Sequence, residues 1–425
     1  MARLLYTLVL HALLPWACLH LLWRARRQPE YLRHWGERFG CYAGKPSQPM
    51  IWLHAVSVGE TRAAQPLVAA LAARYPDHRI LLTHMTPTGR ATSEALFGDT
   101  VERVYLPYDS PWAMRRFLRH FRPRLGLIME TELWPNLIAA CRDAHIPLLL
   151  VNARLSEKSA RNYARFPKLT RSALTQLAAI AANGAADAQR LRELGATEVA
   201  VCGNMKFDIE PPAAQIELGA RLRALSGDRP LFLCASTREG EEALILDEWN
   251  KLGAHETALL AIVPRHPQRF DAVAQLVAAR GLKLQRRSDA TPIAADTQVW
   301  LGDSMGEMFA YYAAASVNGV AFVGGSLLDF GSQNLIEACA VGTPVLIGPS
   351  TFNFAEAAQA AIAAGAVRQV PDAAALVAQA LALLDAPAAR AAMGAAGQSF
   401  SAEHRGATRR TLALVERFMP SPGRP

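Results

Sequence analysis

Residues 51–60 read IWLHAVSVGE. The apolar run Ile51, Trp52, Leu53 has the composition of a buried strand, and small residues follow it, with Gly59 just before a lone carboxylate, Glu60. The next segment, 61–74, is rich in alanine and leucine and predicts a helix. Strand, tight turn, helix is the unit of an open α/β sheet, and it puts Glu60 at the carboxyl edge, where such sheets receive ligands. Acidic residues are also common in first helical turns, where the helix dipole favours them. The rest of the chain decides between a solvated helix-start carboxylate and a functional one.

The same rhythm continues through the first half. Short apolar runs at 80–83, 101–106, 125–129, 147–151, 180–182 and 199–201 alternate with helical patterns that include 112–121, 134–145 and 185–194. This alternation predicts a doubly wound parallel sheet with right-handed crossovers. Its strand exits are chemically loaded: HMTPTGR at 84–90, ETE at 130–132 ahead of Trp134-Pro135-Asn136, and NARLS at 152–156 leading to Lys158, Arg161, Arg165 and Lys168. Taken singly, each loop is explained by helix capping. Together they suggest a surface for phosphate and sugar.

Prolines at 211 and 212 mark a linker, and a second series of runs starts at 231–235 and continues at 259–263, 298–301, 320–323 and 345–347. A second doubly wound domain is the economical account. Two of its loops suit an anion. VGGS at 323–326 precedes a helix predicted over 333–340, and Arg265 follows a strand directly. Glu337, on that helix, is placed to accept bonds from a ribose diol. Tight-turn geometry alone explains the glycines equally well. A rival motif, GDSMG at 302–306, matches the G-x-S-x-G nucleophile elbow, with Asp329 and His404 available to complete a Ser…Asp…His order. It leaves Glu60 and the whole first domain without a role, and no HGGG-type oxyanion loop accompanies it. Neither a Walker A motif nor G-x-G-x-x-G is present.

A chain of 425 residues suits two domains, and 51% hydrophobic with 19% charged residues supplies two cores. The net charge of +8 favours anionic partners, but the basic residues are scattered with no aromatic-basic module, so nucleic acid is not expected. Six cysteines stand singly without a CxxC pair, as buried thiols in a reducing compartment do. The histidines show no HExxH spacing, and neither a metal nor a cofactor is expected. Residues 4–23 carry no Asp, Glu, Lys or Arg, and about 20 helical residues reach roughly 30 Å, the hydrocarbon thickness of a bilayer. Trp23 suits the interface, and Arg24, Arg26 and Arg27 place the bulk of the chain in the cytoplasm by the positive-inside rule. Pro15, His11 and His20 weaken a full span and leave an in-plane helix open. A cleaved signal is disfavoured by Pro15 and Trp16 where a small-x-small site belongs. WGERF at 35–39 mixes aromatic and charged residues, as interfacial segments do.

At the level of motifs, HAVSVGE (54–60), METELWPN (129–136), NARLSEKS (152–159), GNMKFD (203–208), PRHP (264–267) and GGS…NLIEACAVGTPVLIGP (324–349) resemble the Kdo transferases of Gram-negative bacteria. The resemblance covers nearly the whole chain. It implies a GT-B glycosyltransferase fold, two doubly wound Rossmann-like α/β domains facing a cleft, behind an N-terminal membrane-anchor helix. The implied division is an anchor at 1–30, an acceptor-side domain at 31–206 and a CMP-sugar-binding domain at 207–425 whose final helices pack back. The implied reaction moves 3-deoxy-D-manno-octulosonic acid (Kdo) from CMP-Kdo to a lipid A precursor, with inversion and without a metal. The implied setting is the cytoplasmic side of the inner membrane, with membrane lipid as a further partner. Carried over by motif, the general base falls on Glu60 and the transition-state-stabilising positions on Glu130 and Lys206. The CMP contacts fall on Pro264 and Arg265, on Met305, Gly306 and Glu307, and on Asn334, Leu335, Ile336 and Glu337. Arg90, Arg154, Lys158 and Arg161 are expected to meet acceptor phosphates or anionic headgroups. Rival readings are another GT-B-like enzyme, such as a nucleotide-sugar epimerase, and a membrane-anchored binder without catalysis.

Overall fold

A computed structural model of the chain describes residues 1–26, 28–44, 46–208, 210–227, 229–253 and 258–419. Arg27 of the basic flank, part of the proline linker and the tail at 420–425 lie outside the described residues. The described chain forms two compact units, one of Met1–Asp208 with Arg405–Pro425 and one of Ile209–His404.

The first unit is built on a seven-stranded parallel sheet. Its strands are β1 (Met50–His54), β2 (Arg79–His84), β3 (Val101–Tyr105), β4 (Leu125–Met129), β5 (Leu148–Ala153), β6 (Ala179–Ala182) and β7 (Val199–Val201). The spatial order is β3-β2-β1-β4-β5-β6-β7, so the chain winds outward from β1 to one side and then from β4 to the other. β1 is paired on both edges, with Trp52 opposite Leu81 on β2 and opposite Gly126 on β4. Both faces are covered, which is why β1 reads as an unbroken apolar run rather than an alternating one. Met50 and Trp52 join Met114 and Phe117 of helix Pro111–Phe121 on one face. Ile51 and Leu53 meet Leu67 and Leu71 of helix Gln65–Arg74 on the other, together with Leu414 and Val415 from near the end of the chain. Gly126 has a steric reason: a Cβ there would stand 2.7 Å from the Trp52 ring and 2.6 Å from Leu148.

The second unit repeats the plan. Its strands are β8 (Leu231–Thr237), β9 (Leu259–Pro264), β10 (Leu284–Arg286), β11 (Val299–Leu301), β12 (Gly319–Val323), β13 (Val345–Ile347) and β14 (Val367–Gln369). Their order is β10-β11-β9-β8-β12-β13-β14. Again the direction of winding reverses, here between β8 and β12. One face of the sheet is filled by Phe232, Cys234, Ile262 and Phe322 against Trp249, Val273 and Val377.

Several sequence expectations are corrected. The single helix expected over 61–74 is two, Val58–Ala63 and Gln65–Arg74, and the second starts with Pro66 in its first turn, where the missing N–H costs no hydrogen bond. The helix expected over 333–340 is only Ile336–Ala340. Strands β10 and β14 were not anticipated, because each is a short, partly polar strand at a sheet edge. From Arg405 the chain belongs to the first unit again. There the Asp208 carboxylate accepts from the backbone N–H groups of Gly406 (2.5 Å), Ala407 (3.2 Å) and Thr408, fixing the start of helix Ala407–Glu416.

Candidate active site

In each sheet the strand order reverses at one point, and open α/β sheets bind ligands at the carboxyl ends of the strands flanking it. In the first unit those strands are β1 and β4, and the residues that leave them are Glu60 and Glu130. Glu60 lies in helix Val58–Ala63, whose N-cap is Ser57. Its carboxylate folds back over the turn: Oε2 accepts from the Val56 N–H at 2.7 Å and Oε1 from the Ser57 hydroxyl at 3.1 Å. Glu60 does stand at a helix start, but it is not the solvated carboxylate of that reading. The side chain is only 7% exposed. Burial holds its pKa above the ordinary value, at about 7, and the carboxylates of Glu130 and Glu132 push the same way, against the two hydrogen bonds. A buried carboxyl near neutrality, beside two others, is how proteins tune a proton acceptor.

Glu130 follows β4 in the left-handed region, at φ 56°, with its N–H bonded to the Val151 carbonyl at 3.0 Å. Its Oε1 stands 3.4 Å from the Lys206 ammonium. Lys206 sits in a short turn, Met205–Phe207, that is held in two ways. Asn204 caps it through the Lys206 N–H at 3.0 Å, and Asn152, at the end of β5, accepts from the Met205 N–H at 2.9 Å. The structure thus brings Glu130 and Lys206 together, and Glu60 feels the Glu130 charge. Among residues given no role beforehand, Glu132 receives the Trp134 indole N–H at 2.7 Å, and Trp134 meets the His54 ring edge-on at 5.7 Å. His54 itself is wholly buried and bonded to the Thr83 hydroxyl at 2.8 Å, and burial pushes its pKa down to about 3. It is a neutral core histidine. Arg90 is also structural: its guanidinium pairs with Glu37 at 3.1 Å and lies over the Tyr105 ring, which removes it from the cations expected at an acceptor. Arg161 pairs with Glu157 one turn away at 3.7 Å.

In the second unit the positions carried over for CMP lie past the carboxyl ends of β9, β11 and β12. Pro264 ends β9, and the Arg265 N–H bonds to the Thr237 carbonyl at 3.0 Å. Arg238, which sequence reasoning left without a role, reaches the His266 Nε2 at 2.9 Å and lies over Phe330. Burial, with Arg238, Arg265 and Arg269 close by, keeps the His266 pKa low, so this edge gathers three guanidinium groups. After β11, Met305 is exposed and Gly306 takes φ 79°. Glu307 accepts from Ser304 at 2.6 Å and pairs with Arg287 at 3.4 Å. Ser304 also bonds the Tyr311 hydroxyl at 2.9 Å, while Asp329 receives the Ser350 hydroxyl at 3.2 Å and His404 bonds the Phe400 carbonyl at 2.8 Å. These separate engagements leave the nucleophile-elbow reading without support.

After β12 the glycine turn differs from its expected use. The N–H groups of Gly325 and Leu327 donate to the buried Glu241 carboxylate at 2.7 and 3.0 Å, and the Arg238 N–H joins them at 2.8 Å. The anion held by this turn is the protein's own. Asn334 spends its amide locally, accepting from the Ile336 N–H at 3.0 Å and donating to Glu337 Oε1 at 3.1 Å. The Leu335 and Ile336 side chains are fully buried, so only their backbone is available to a ligand. Among the described residues, no group of three or more His, Cys, Asp or Glu side chains is gathered to hold a metal ion.

Comparison with known proteins identifies the family. Residues 33–209 match the family described as 3-deoxy-D-manno-octulosonic-acid transferase (kdotransferase). A 3-deoxy-D-manno-octulosonic acid transferase of Bordetella pertussis is 46% identical over 433 aligned residues, covering 99% of this chain and 100% of that protein. Its counterpart in Haemophilus influenzae is 38% identical, covering 92% and 93% respectively. A glycosyltransferase structure from Rickettsia africae superposes with a TM-score of 0.56 at 13% identity, covering 88% of this chain and all of that one, a likeness of fold alone. By its sequence relatives, the chain belongs to the 3-deoxy-D-manno-octulosonic acid transferase family.

Proposed function

We propose that the chain transfers Kdo from CMP-Kdo to a lipid A precursor with inversion, and that Glu60 is the general base. The observation that carries this reading is the buried Glu60 carboxyl, poised at about 7 at the end of β1 beside Glu130 and Glu132. Glu60 takes the proton of the acceptor hydroxyl as that oxygen bonds to the anomeric carbon. The bond from that carbon to the CMP phosphate oxygen breaks, and its electron pair leaves with CMP. Positive charge that develops on the sugar ring is offset by Glu130, which Lys206 holds in place at 3.4 Å. The second unit receives CMP through Arg265 and the backbone of 305–307 and 334–337. A single leaving phosphate is balanced by cationic side chains and backbone N–H groups, with no divalent ion required. The reaction takes place at the cytoplasmic face of the inner membrane, where the acceptor's sugar head lies.

The test is an assay in which CMP-Kdo is generated in place, offered with a lipid A precursor and followed by mass. Glu60→Gln should lower transfer by about 10²–10⁴-fold while CMP binding, read by calorimetry, stays within twofold. Turnover near the parent rate would remove Glu60 as the base. Transfer should also survive a chelator, and a strict metal requirement would overturn the charge balance proposed for CMP.

A further inference from the structure

The apolar N-terminal helix, Ala2–Ala25, is docked along its length on the first unit. Leu21 and Ala25 are buried, and Tyr6, Thr7, Leu10, Leu14, Ala17 and Cys18 are half-buried along one side, so a single stripe faces the protein. Both ends are tied. Near the start, the Tyr6 hydroxyl donates to Asp109 at 3.0 Å and the Thr7 hydroxyl donates to Asn136 at 3.0 Å. Near the finish, Leu21 and Ala25 pack with Tyr31, Trp35 and Tyr108, and the Arg24 guanidinium lies 4.4 Å from the Tyr31 ring centroid.

Asp109 and Asn136 are 2% and 3% exposed, so the partners of the first turns are interior groups of a folded unit. From Tyr6 to Ala25 the helix rises roughly 28 Å, nearly the whole hydrocarbon thickness. A helix standing across the bilayer with Arg24 on one side would carry Tyr6 to the other side. Asp109 and Asn136 would then have to follow it through the membrane.

The outer stripe is bare. Leu5, Leu8, Leu13, Trp16, Leu19 and Leu22 are each about half exposed or more, with Leu5 and Trp16 at 65%. The rings of Trp16, His20 and Trp23 stack in a row along the helix at centroid spacings of 5.4 and 5.7 Å. Interfacial aromatic residues mark a depth in the membrane, so a row running with the axis fits a helix lying at that depth. The cations choose the occupant. Arg3 stands at one end and Arg24 and Arg26 at the other, with no acidic residue between. Two copies of this stripe, paired in either direction, bring arginine against arginine, whereas a layer of anionic headgroups complements both ends.

We propose that this helix lies in the plane of one leaflet, with its outer stripe among the acyl chains and its end arginines at the lipid phosphates. The polypeptide does not cross the bilayer. The inference rests on the two-ended dock and is independent of the reaction proposed above.

Two experiments on the full chain test it. With one epitope tag before Met1 and another at the carboxyl end, protease added to inverted and to right-side-out inner-membrane vesicles should remove both tags from the same face. Removal of the N-terminal tag only from the opposite face would overturn the proposal. In flotation with phosphatidylglycerol–phosphatidylethanolamine vesicles, the Leu5→Glu, Leu19→Glu double variant should lose at least tenfold in bound fraction with an unchanged melting temperature. Undiminished flotation of that variant, or a parent chain that forms a concentration-dependent dimer and does not float, would equally overturn it, the latter in favour of a second copy.

Discussion

Glu60 carries two consequences that are read by titration. As the proposed base it must be unprotonated, and burial with two neighbouring carboxylates sets its pKa at about 7, so kcat/KM should rise with pH through an acid limb near 7. Because Glu130 is one of the groups raising that value, Glu130→Gln should move the limb to lower pH as well as slow the transfer. An unmoved limb would mean that Glu60 and Glu130 are not coupled. Stability runs the opposite way to activity. The folded pKa lies above the ordinary 4.5, so between these values the folded chain keeps a proton that the unfolded chain has released. Raising the pH through that window costs stability, and the full cost is present above 7. Glu60→Gln removes the cost, so its stability relative to the parent, from urea unfolding, should be greater at pH 8 than at pH 4.5 by up to about 3 kcal/mol. On the proposed role, the stability that Glu60 costs at neutral pH is strain retained for chemistry.

At the scale of elements, the clearest device is the Glu241 carboxylate under the glycine turn. Three backbone N–H groups, from Arg238, Gly325 and Leu327, point into it, and each left without an acceptor costs about 1–3 kcal/mol. Glu241→Ala should therefore lower stability by several kcal/mol, read by chemical denaturation, and should loosen the loop that precedes Asn334. This arrangement was not legible in the sequence, because Glu241 and Gly325 lie 84 positions apart and a glycine turn advertises anion binding without saying whose anion. The same limit hid Asp109, whose partner Tyr6 lies 103 positions away, and the Glu130–Lys206 pair as a pair. What the sequence did display was the set of central strands. Strands such as β1 and β4 are covered on both faces and leave uninterrupted apolar runs. Edge strands β10 and β14 are three residues long, one apolar followed by two polar, and leave no such trace. The candidate site residues rest on long motifs at strand exits. Spacing alone placed Glu60 at a sheet edge and could not separate a helix cap from a base, and in the structure it serves as the first with the tuning of the second.

For the whole molecule, the course of the chain matters more than either sheet. It leaves the first unit after Asp208 and returns at Arg405. The returning helix Ala407–Glu416 sets Leu414 and Val415, 5% and 0% exposed, against Ile51, Leu53 and Leu127 under β1 and β4, while Arg410 binds the Cys202 carbonyl at 2.7 Å. Each such apolar side chain contributes about 1.5–3 kcal/mol by leaving water. A chain stopped after His404 should have a first unit destabilised by more than 4 kcal/mol, roughly the two side chains together, and measured melting should show it. A truncated chain that melts like the parent would make the return ornamental. Synthesis runs from the amino end, so the ribosome delivers the membrane-seeking helix first and the last buttress of the sheet bearing Glu60 at the very end. Until those final residues emerge, the sheet beneath Glu60 lacks Leu414 and Val415, so on the roles proposed above transfer is expected only once the returning helix has been made.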